Sequence, residues 1–171
     1  LRSEIGYVPQ KGVLFSGTID SNIRYGKPEI TDAQVKEAAE VAQATEFIDT
    51  KPEKYESPVS QGGTNVSGGQ KQRLSIARAI AKDPEIFIFD DSFSALDFKT
   101  DSQLRKALKE YTKDATTVIV AQRISTILGA DQIIVLDDGH MAGIGTHKEL
   151  MANCEVYQQI ARSQLSEEEL A

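Results

Sequence analysis

The chain has 171 residues, 40% of them apolar and 26% charged, the composition of a globular domain large enough for one real core. Its 26 acidic residues against 19 basic ones give a net charge of −7, a balance that argues against a nucleic-acid surface with its usual basic stripe. No apolar run approaches the ~18 residues of a membrane helix, Leu1-Arg2-Ser3-Glu4 lacks the apolar stretch of a signal peptide, and Cys154, the single cysteine, excludes an internal disulfide. A reducing cytosol fits, with Cys154 a small buried residue without chemistry.

Ile5-Gly6-Tyr7-Val8-Pro9-Gln10 reads as a strand running into a loop, and Thr18-Ile19-Asp20-Ser21-Asn22-Ile23 as a short helix after a glycine. Thr31-x-x-Gln34 is a capping-box pattern, and Val35, Ala38, Ala39 and Ala42 repeat behind it at helical spacing. Residues 51–64, rich in Pro, Ser and Gly, predict a loop. Ser67 is placed to cap the next helix, which carries Leu74, Ala77, Ile80 and Ala81 on one face. The positive clusters at 71–78 and 105–113 read as solvated helix faces. Ile86 to Phe89 is an unbroken apolar run, as in a strand covered on both sides. Thr100-x-x-Gln103 is predicted to cap a helix bearing Leu104, Ala107, Leu108 and Tyr111. Two more buried strands are predicted at 117–121 and 132–136, then a tight turn at Asp137-Asp138-Gly139 into a strand at 141–144. Thr146-x-x-Glu149 is a third capping box, and 166–171 reads as a frayed acidic helix. The first 80 residues are thus mostly helical, and the alternation after residue 85 predicts an α/β fold with a parallel sheet and helices packed on it.

Two segments carry chemistry. Asn65-Val66-Ser67-Gly68-Gly69-Gln70-Lys71-Gln72-Arg73 is a Ser-Gly-Gly turn opening a helix, a shape that offers backbone N–H groups to a phosphate. Ile86-Phe87-Ile88-Phe89-Asp90-Asp91 ends a strand in two carboxylates, and a carboxylate there can hold Mg²⁺, usually through water. The chain contains no G-x-x-x-x-G-K-[ST] phosphate loop. Taken singly, these residues also fit plain structural roles: Gln10 as a strand-end polar residue, Gly68 and Gly69 as a turn, Asp90, Asp91 and Asp97 as helix caps, Gln122 as a core amide.

Taken in order, they resemble the nucleotide-binding domain of the ATP-binding cassette (ABC) ATPases over the whole chain. Gln10 stands at the Q-loop, 65–70 at the signature with Val66 where Leu is usual, and Asp90 at the end of Walker B. Ser94-Ala95-Leu96-Asp97 matches the D-loop, and Val118-Ile119-Val120-Ala121-Gln122-Arg123-Ile124-Ser125-Thr126 the switch segment. Phe15-Ser16-Gly17-Thr18-Ile19, Asn22-Ile23 and Tyr25-Gly26 look like the exporter class, where this stretch faces helices that couple to the membrane domains. Ser57-Pro58-Val59-Ser60-Gln61-Gly62-Gly63 sits at the exporters' X-loop, with Gln61 for a glutamate and Ser60 for a glycine. The resemblance implies a partial RecA-like parallel sheet with packed helices (1–12 and 83–171) plus an α-helical subdomain carrying the signature (about 13–82). It implies ATP and Mg²⁺ as cofactors, Asp90 and Gln10 toward the metal, and Gln10, Ser67, Gly68, Gly69, Gln70 and Asp97 toward nucleotide. It also implies a second nucleotide-binding domain and transmembrane domains as partners, at the cytoplasmic face of the cell membrane, and no nucleic acid.

Three departures follow. The phosphate loop precedes the Q-loop in this family, so the expectation is a C-terminal piece of a longer protein, with a split subunit as the alternative. Asp91 stands where strong sites carry a glutamate base, shorter by one methylene, about 1.5 Å of reach. Gln122 replaces the switch histidine; an amide donates to a phosphate oxygen but relays no proton. Asp91 and Gln122, the two catalytic positions, together resemble the degenerate-site half of a heterodimeric multidrug-type exporter, whose signature completes the site of a paralogous subunit. The alternatives are a homodimeric exporter ATPase with slow sites, a non-hydrolytic ATP-dependent clamp, and an ABC ATPase of DNA repair or chromosome structure. The last is disfavoured because the chain has neither heptads nor Cys pairs.

Overall fold

A computed structural model describes residues 2–166, which fall into two compact units dividing after Val120. The predicted acidic helix at the end lies, beyond Ser166, outside the described residues.

In the first unit, β1 (Ile5–Val8) leads through a loop to β2 (Gly17–Thr18) and α1 (Ile19–Ile23). There follow α2 (Asp32–Val41), α3 (Thr45–Asp49), β3 (Pro58–Val59), α4 (Gly68–Ala81), β4 (Ile86–Asp90), α5 (Phe98–Tyr111) and β5 (Thr116–Val120). The sheet is parallel, in the order β1-β4-β5, with Val8 opposite Phe89 and Asp90 opposite Val120. The crossovers that parallel pairing requires run through helices, as the alternation after residue 85 predicts.

Local chemistry sets the helix starts. Thr18, Thr31 and Ser67 each close a capping box on the residue three positions on, which satisfies donors that a helix N-terminus leaves orphaned. α5 is capped by Asp97 rather than Thr100: the Asp97 carboxylate accepts from the Thr100 amide at 3.0 Å and the Thr100 hydroxyl at 2.7 Å. A carboxylate in that place also complements the helix dipole. Val35, Ala38, Ala39 and Ala42 are all buried, as are Leu74, Ala77, Ile80 and Ala81 of α4 and Phe87 and Phe89 of β4.

Three expectations need correction. The 51–64 segment is not only loop: β3 pairs antiparallel with β2, Gly17 opposite Val59. The strands near 86–89, 117–121 and 132–136 are not covered on both faces. Phe87 and Phe89 are buried, but Ile86 and Ile88 only partly, and Val118 and Val120 of β5 are about half exposed. Only one face of this sheet meets the α4–α5 core among the described residues, so burial follows the period of two set by the pleat. The basic cluster at 71–78 is not a solvated face either. Arg73 lies over the Phe47 ring and donates to the Gln43 carbonyl at 2.7 Å. Arg78 donates to the Asn22 carbonyl at 2.7 Å, to Asn22 Oδ1 at 2.9 Å and to the Val13 carbonyl at 2.8 Å, with the stacked Phe15 and Tyr25 rings against it. Burial pushes the Arg78 guanidinium down to about 10, so it stays charged at neutral pH.

The second unit holds α6 (Ile124–Ile127), β6 (Ile133–Asp137), β7 (His140–Gly145), α7 (His147–Asn153) and α8 (Glu155–Gln164). β6 and β7 form an antiparallel hairpin whose turn, Asp138-Gly139, has both φ angles positive (45° and 76°), as the predicted tight turn requires. Ile133 and Val135 are buried with Leu150, Tyr157 and Ala161, whereas Ile134 and Leu136 are exposed. Thr146 closes the third capping box, and Cys154 is buried, as expected. No helix among the described residues is long and apolar enough to cross a membrane.

Candidate functional site

The two carboxylates at the end of β4 sit beside the end of β1 because parallel pairing aligns Val8 with Phe89. Three side-chain hydrogen bonds, two from the β1 side and one from the β4 side, tie the two strand ends together. Tyr7 donates its hydroxyl to Asp90 Oδ2 at 3.1 Å, Gln10 donates Nε2 to Asp91 Oδ2 at 2.9 Å, and buried Ser92 donates Oγ to the Val8 carbonyl at 2.8 Å. The Asp90 carboxylate, through that hydrogen bond and its charge, holds the Tyr7 hydroxyl above its ordinary range. Gln10, Asp90 and Asp91 are therefore brought into one site, and Tyr7 joins them.

Asp91 takes the left-handed backbone conformation, φ 46°, with its N–H donating to the Val120 carbonyl at 2.8 Å. Asp accepts this region more readily than most side chains. Ser94 donates to the Asp91 carbonyl at 3.1 Å and fixes the start of the following turn. That turn ends at Asp97, whose carboxyl Thr100 holds, through its hydroxyl and then its amide, below the usual carboxylate range. Asp97 is thus a helix cap, and its oxygens are engaged locally.

The Ser67–Gln70 turn opens the 14-residue helix α4. Ser67 Oγ accepts from the Gln70 amide at 3.2 Å, and Gln70 Oε1 accepts from the Ser67 amide at 3.1 Å, so both side chains serve the cap. Gly68 is exposed, with nothing within 4 Å of where a Cβ would stand, and a Cβ on Gly69 would lie 3.5 Å from the Ala95 carbonyl. The open side of this turn is backbone, the form in which a helix N-terminus receives an anion. Asn65 does not face that opening: it accepts from the Ser60 amide and donates to the Pro58 carbonyl, bracing the 57–63 segment. Gln61 Oε1 lies 3.4 Å from the Ser16 amide that donates to it.

Gln122 belongs to the second unit, two residues past β5, exposed, with its carbonyl accepting from Gln164 Nε2 at 2.9 Å.

The donor set suits Mg²⁺ carried by a nucleotide better than a resident metal. Among the described residues no group of three His, Cys, Asp or Glu side chains converges. What converges is Asp90, Asp91 and the Gln10 amide, oxygen donors of the kind Mg²⁺ takes one or two at a time while keeping water and phosphate ligands.

Sequence reasoning missed Tyr7, Ser92 and Gln72. Gln72 of α4 is buried and bridges the Q-loop backbone, accepting from the Gly12 amide at 2.9 Å and donating to the Pro9 carbonyl at 3.1 Å. Alternation along β1 puts Tyr7 on the face opposite buried Val8, and that phase was the available signal for it. Gln72 falls on the same face of α4 as buried Ile76 and Ala79, and that phase was the available signal for it.

The comparisons agree with this geometry. A family model described as "ABC transporter" matches residues 1–94. An uncharacterised ABC transporter ATP-binding protein of Mycobacterium bovis is 48% identical over 96% of this chain. A Staphylococcus aureus ATP-binding/permease protein named for multidrug export is 47% identical over 94% of it. In both cases the chain spans 28% of the relative's length. The solved structure of a bacterial Atm1-family ABC exporter with ATP bound superposes with a TM-score of 0.92 at 38% identity, over 97% of this chain and 29% of that one. The chain belongs to the ABC transporter family and forms part of its nucleotide-binding domain.

Proposed function

We propose that this chain is the nucleotide-binding half of an ABC exporter in which ATP binding and hydrolysis drive transmembrane transport, and that its own site is degenerate. It works with transmembrane domains and a second, paralogous nucleotide-binding domain at the cytoplasmic face of the membrane. One observation carries the reading: the side chain at the base position, Asp91, is held by Gln10 at 2.9 Å. A carboxylate one methylene short and already hydrogen-bonded is a poor base, because a base must come within about 2.6–3.2 Å of the proton it takes. Misplacement of about 1 Å can cost roughly a hundredfold in rate. Gln122 adds no ionisable relay.

Asp90, whose carboxylate Tyr7 orients, and the Gln10 amide would hold the Mg²⁺ that a nucleotide brings. The metal supplies charge neutralisation for the transferred phosphoryl group. The signature turn serves the partner's site instead. Its backbone opens outward at Gly68, and exposed Phe98, at the start of α5 beside Asp97, offers an apolar contact for an opposing domain. The test is Ser67→Arg with Gly68→Asp in the full-length transporter. Bulk and a negative charge placed where backbone meets phosphate should abolish most ATPase activity. Near wild-type turnover would remove the assignment in trans.

A further inference from the structure

The signature helix and the Q-loop are joined at one buried point. Gln72 lies one turn into α4 beyond the Ser67–Gly69 opening, and it is 2% exposed. Its amide accepts from Gly12 N–H at 2.9 Å and donates to Pro9 C=O at 3.1 Å, so it grips the backbone on both sides of Gln10 and Lys11. A second observation is independent of that side chain. At Gly12 an added Cβ would stand 2.7 Å from Ser75 Oγ and 3.0 Å from the Lys71 carbonyl, both on α4. The loop therefore rests on the helix backbone itself, and only glycine permits that approach. On the other side the same loop holds the carboxylate turn through Gln10–Asp91 and Val8–Ser92. Two sets of side-chain hydrogen bonds, joined by the short loop backbone between Pro9 and Gly12, thus connect Asp91 to α4.

We propose that Gln72 is a positioning residue that transmits the state of this chain's own nucleotide site to its signature helix, so that turnover at the site the helix completes depends on Gln10 through Gln72. The proposal rests on the reading that the signature acts in trans. A bound nucleotide that engages the Gln10 side chain would displace the loop backbone at Pro9 and Gly12, which Gln72 holds. The paired bonds to Gln72 carry that shift to the helix that opens at Ser67. A buried amide with both its polar atoms engaged is well suited to this, because it cannot let go of the loop without leaving polar groups unpaired.

The test is a double-mutant cycle on steady-state ATPase of the full-length transporter, with Gln10→Ala and Gln72→Met. Met fills the same volume without donor or acceptor. Each single change should lower turnover about tenfold with the KM for ATP within about twofold of wild type, and the double mutant should be no slower than either single. A merely structural Gln72 would reduce the folded fraction and multiply with Gln10→Ala, giving about a hundredfold loss. That outcome, or Gln72→Met turning over within twofold of wild type, overturns the proposal. Gly12→Ala approaches the same contact from the loop side and serves where Gln72→Met does not fold. It too should lose about tenfold and show no further loss with Gln10→Ala, and multiplicative losses would overturn the proposal. Retained turnover in Ser67→Arg/Gly68→Asp would instead remove the trans reading, and the two failures are distinct.

Discussion

Replacing Arg78 by alanine tests whether the basic residues of α4 are structural. The guanidinium donates to the carbonyl and side chain of Asn22, which is 1% exposed, and it packs against Phe15 and Tyr25 with ring centroids at 5.3 and 5.5 Å. Asn22 lies in the last turn of α1, where carbonyls have no partner inside the helix. Truncation leaves that buried carbonyl unpaired, at a cost of about 1–3 kcal/mol. The two ring contacts add about 0.5–1 kcal/mol each. Asn22 Oδ1 keeps its bond from the Phe15 amide at 2.9 Å, and the Val13 carbonyl lies in an exposed residue, so neither adds much. The expected loss is about 3 kcal/mol, a large share of a stability of roughly 5–15 kcal/mol. Calorimetric unfolding of the complete nucleotide-binding domain should show the Tm falling by roughly 6–12 °C. Lys113→Ala, which breaks an exposed pair with Glu110 at 3.3 Å, is the control and should stay within about 0.5 kcal/mol of wild type. Arg78→Ala behaving like that control would refute the reasoning.

Other outcomes follow from the site. Tyr7→Phe, which keeps the ring and removes the donor to Asp90, should raise the Mg²⁺ concentration for half-maximal nucleotide binding in the full-length protein by roughly threefold, and leave binding in EDTA unchanged. The 171-residue chain alone, with no phosphate-loop motif in its sequence, should bind Mg-ATP with a Kd of about 1 mM or weaker, and micromolar binding by calorimetry would contradict this. Asp91→Glu with Gln122→His should raise hydrolysis at this chain's own site, seen as turnover that persists when the partner's glutamate is removed. Because φ at residue 91 is 46°, part of the gain is offset by left-handed strain of about 1 kcal/mol.

Motif order identified the family, and periodicity placed most elements, because capping boxes at Thr31, Ser67 and Thr146 and apolar stripes such as Leu74–Ala77–Ile80 are local signals. What stayed hidden was long-range. The β2–β3 pair has only two residues per strand, too short for any alternation to register. Arg73 and Arg78 read as solvated because their acceptors, Gln43 and Asn22, lie 30 and 56 residues away. Gln70 and Asp97 were legible as motif members, but their side chains are occupied by helix caps, a competition that motif spacing does not reveal. Tyr7, Ser92 and Gln72 act through contacts spanning 60 or more positions, which neither spacing nor composition encodes.

The degenerate-site claim is tested most directly by steady-state ATPase of the full-length transporter carrying Asp91→Asn. The change removes the negative charge, keeps the shape and leaves an oxygen to accept from Gln10. If Asp91 serves a site that is already slow, turnover stays within about twofold of wild type, since the partner's site carries the flux. A fall of about a hundredfold would show that Asp91 is a working base and would contradict the account.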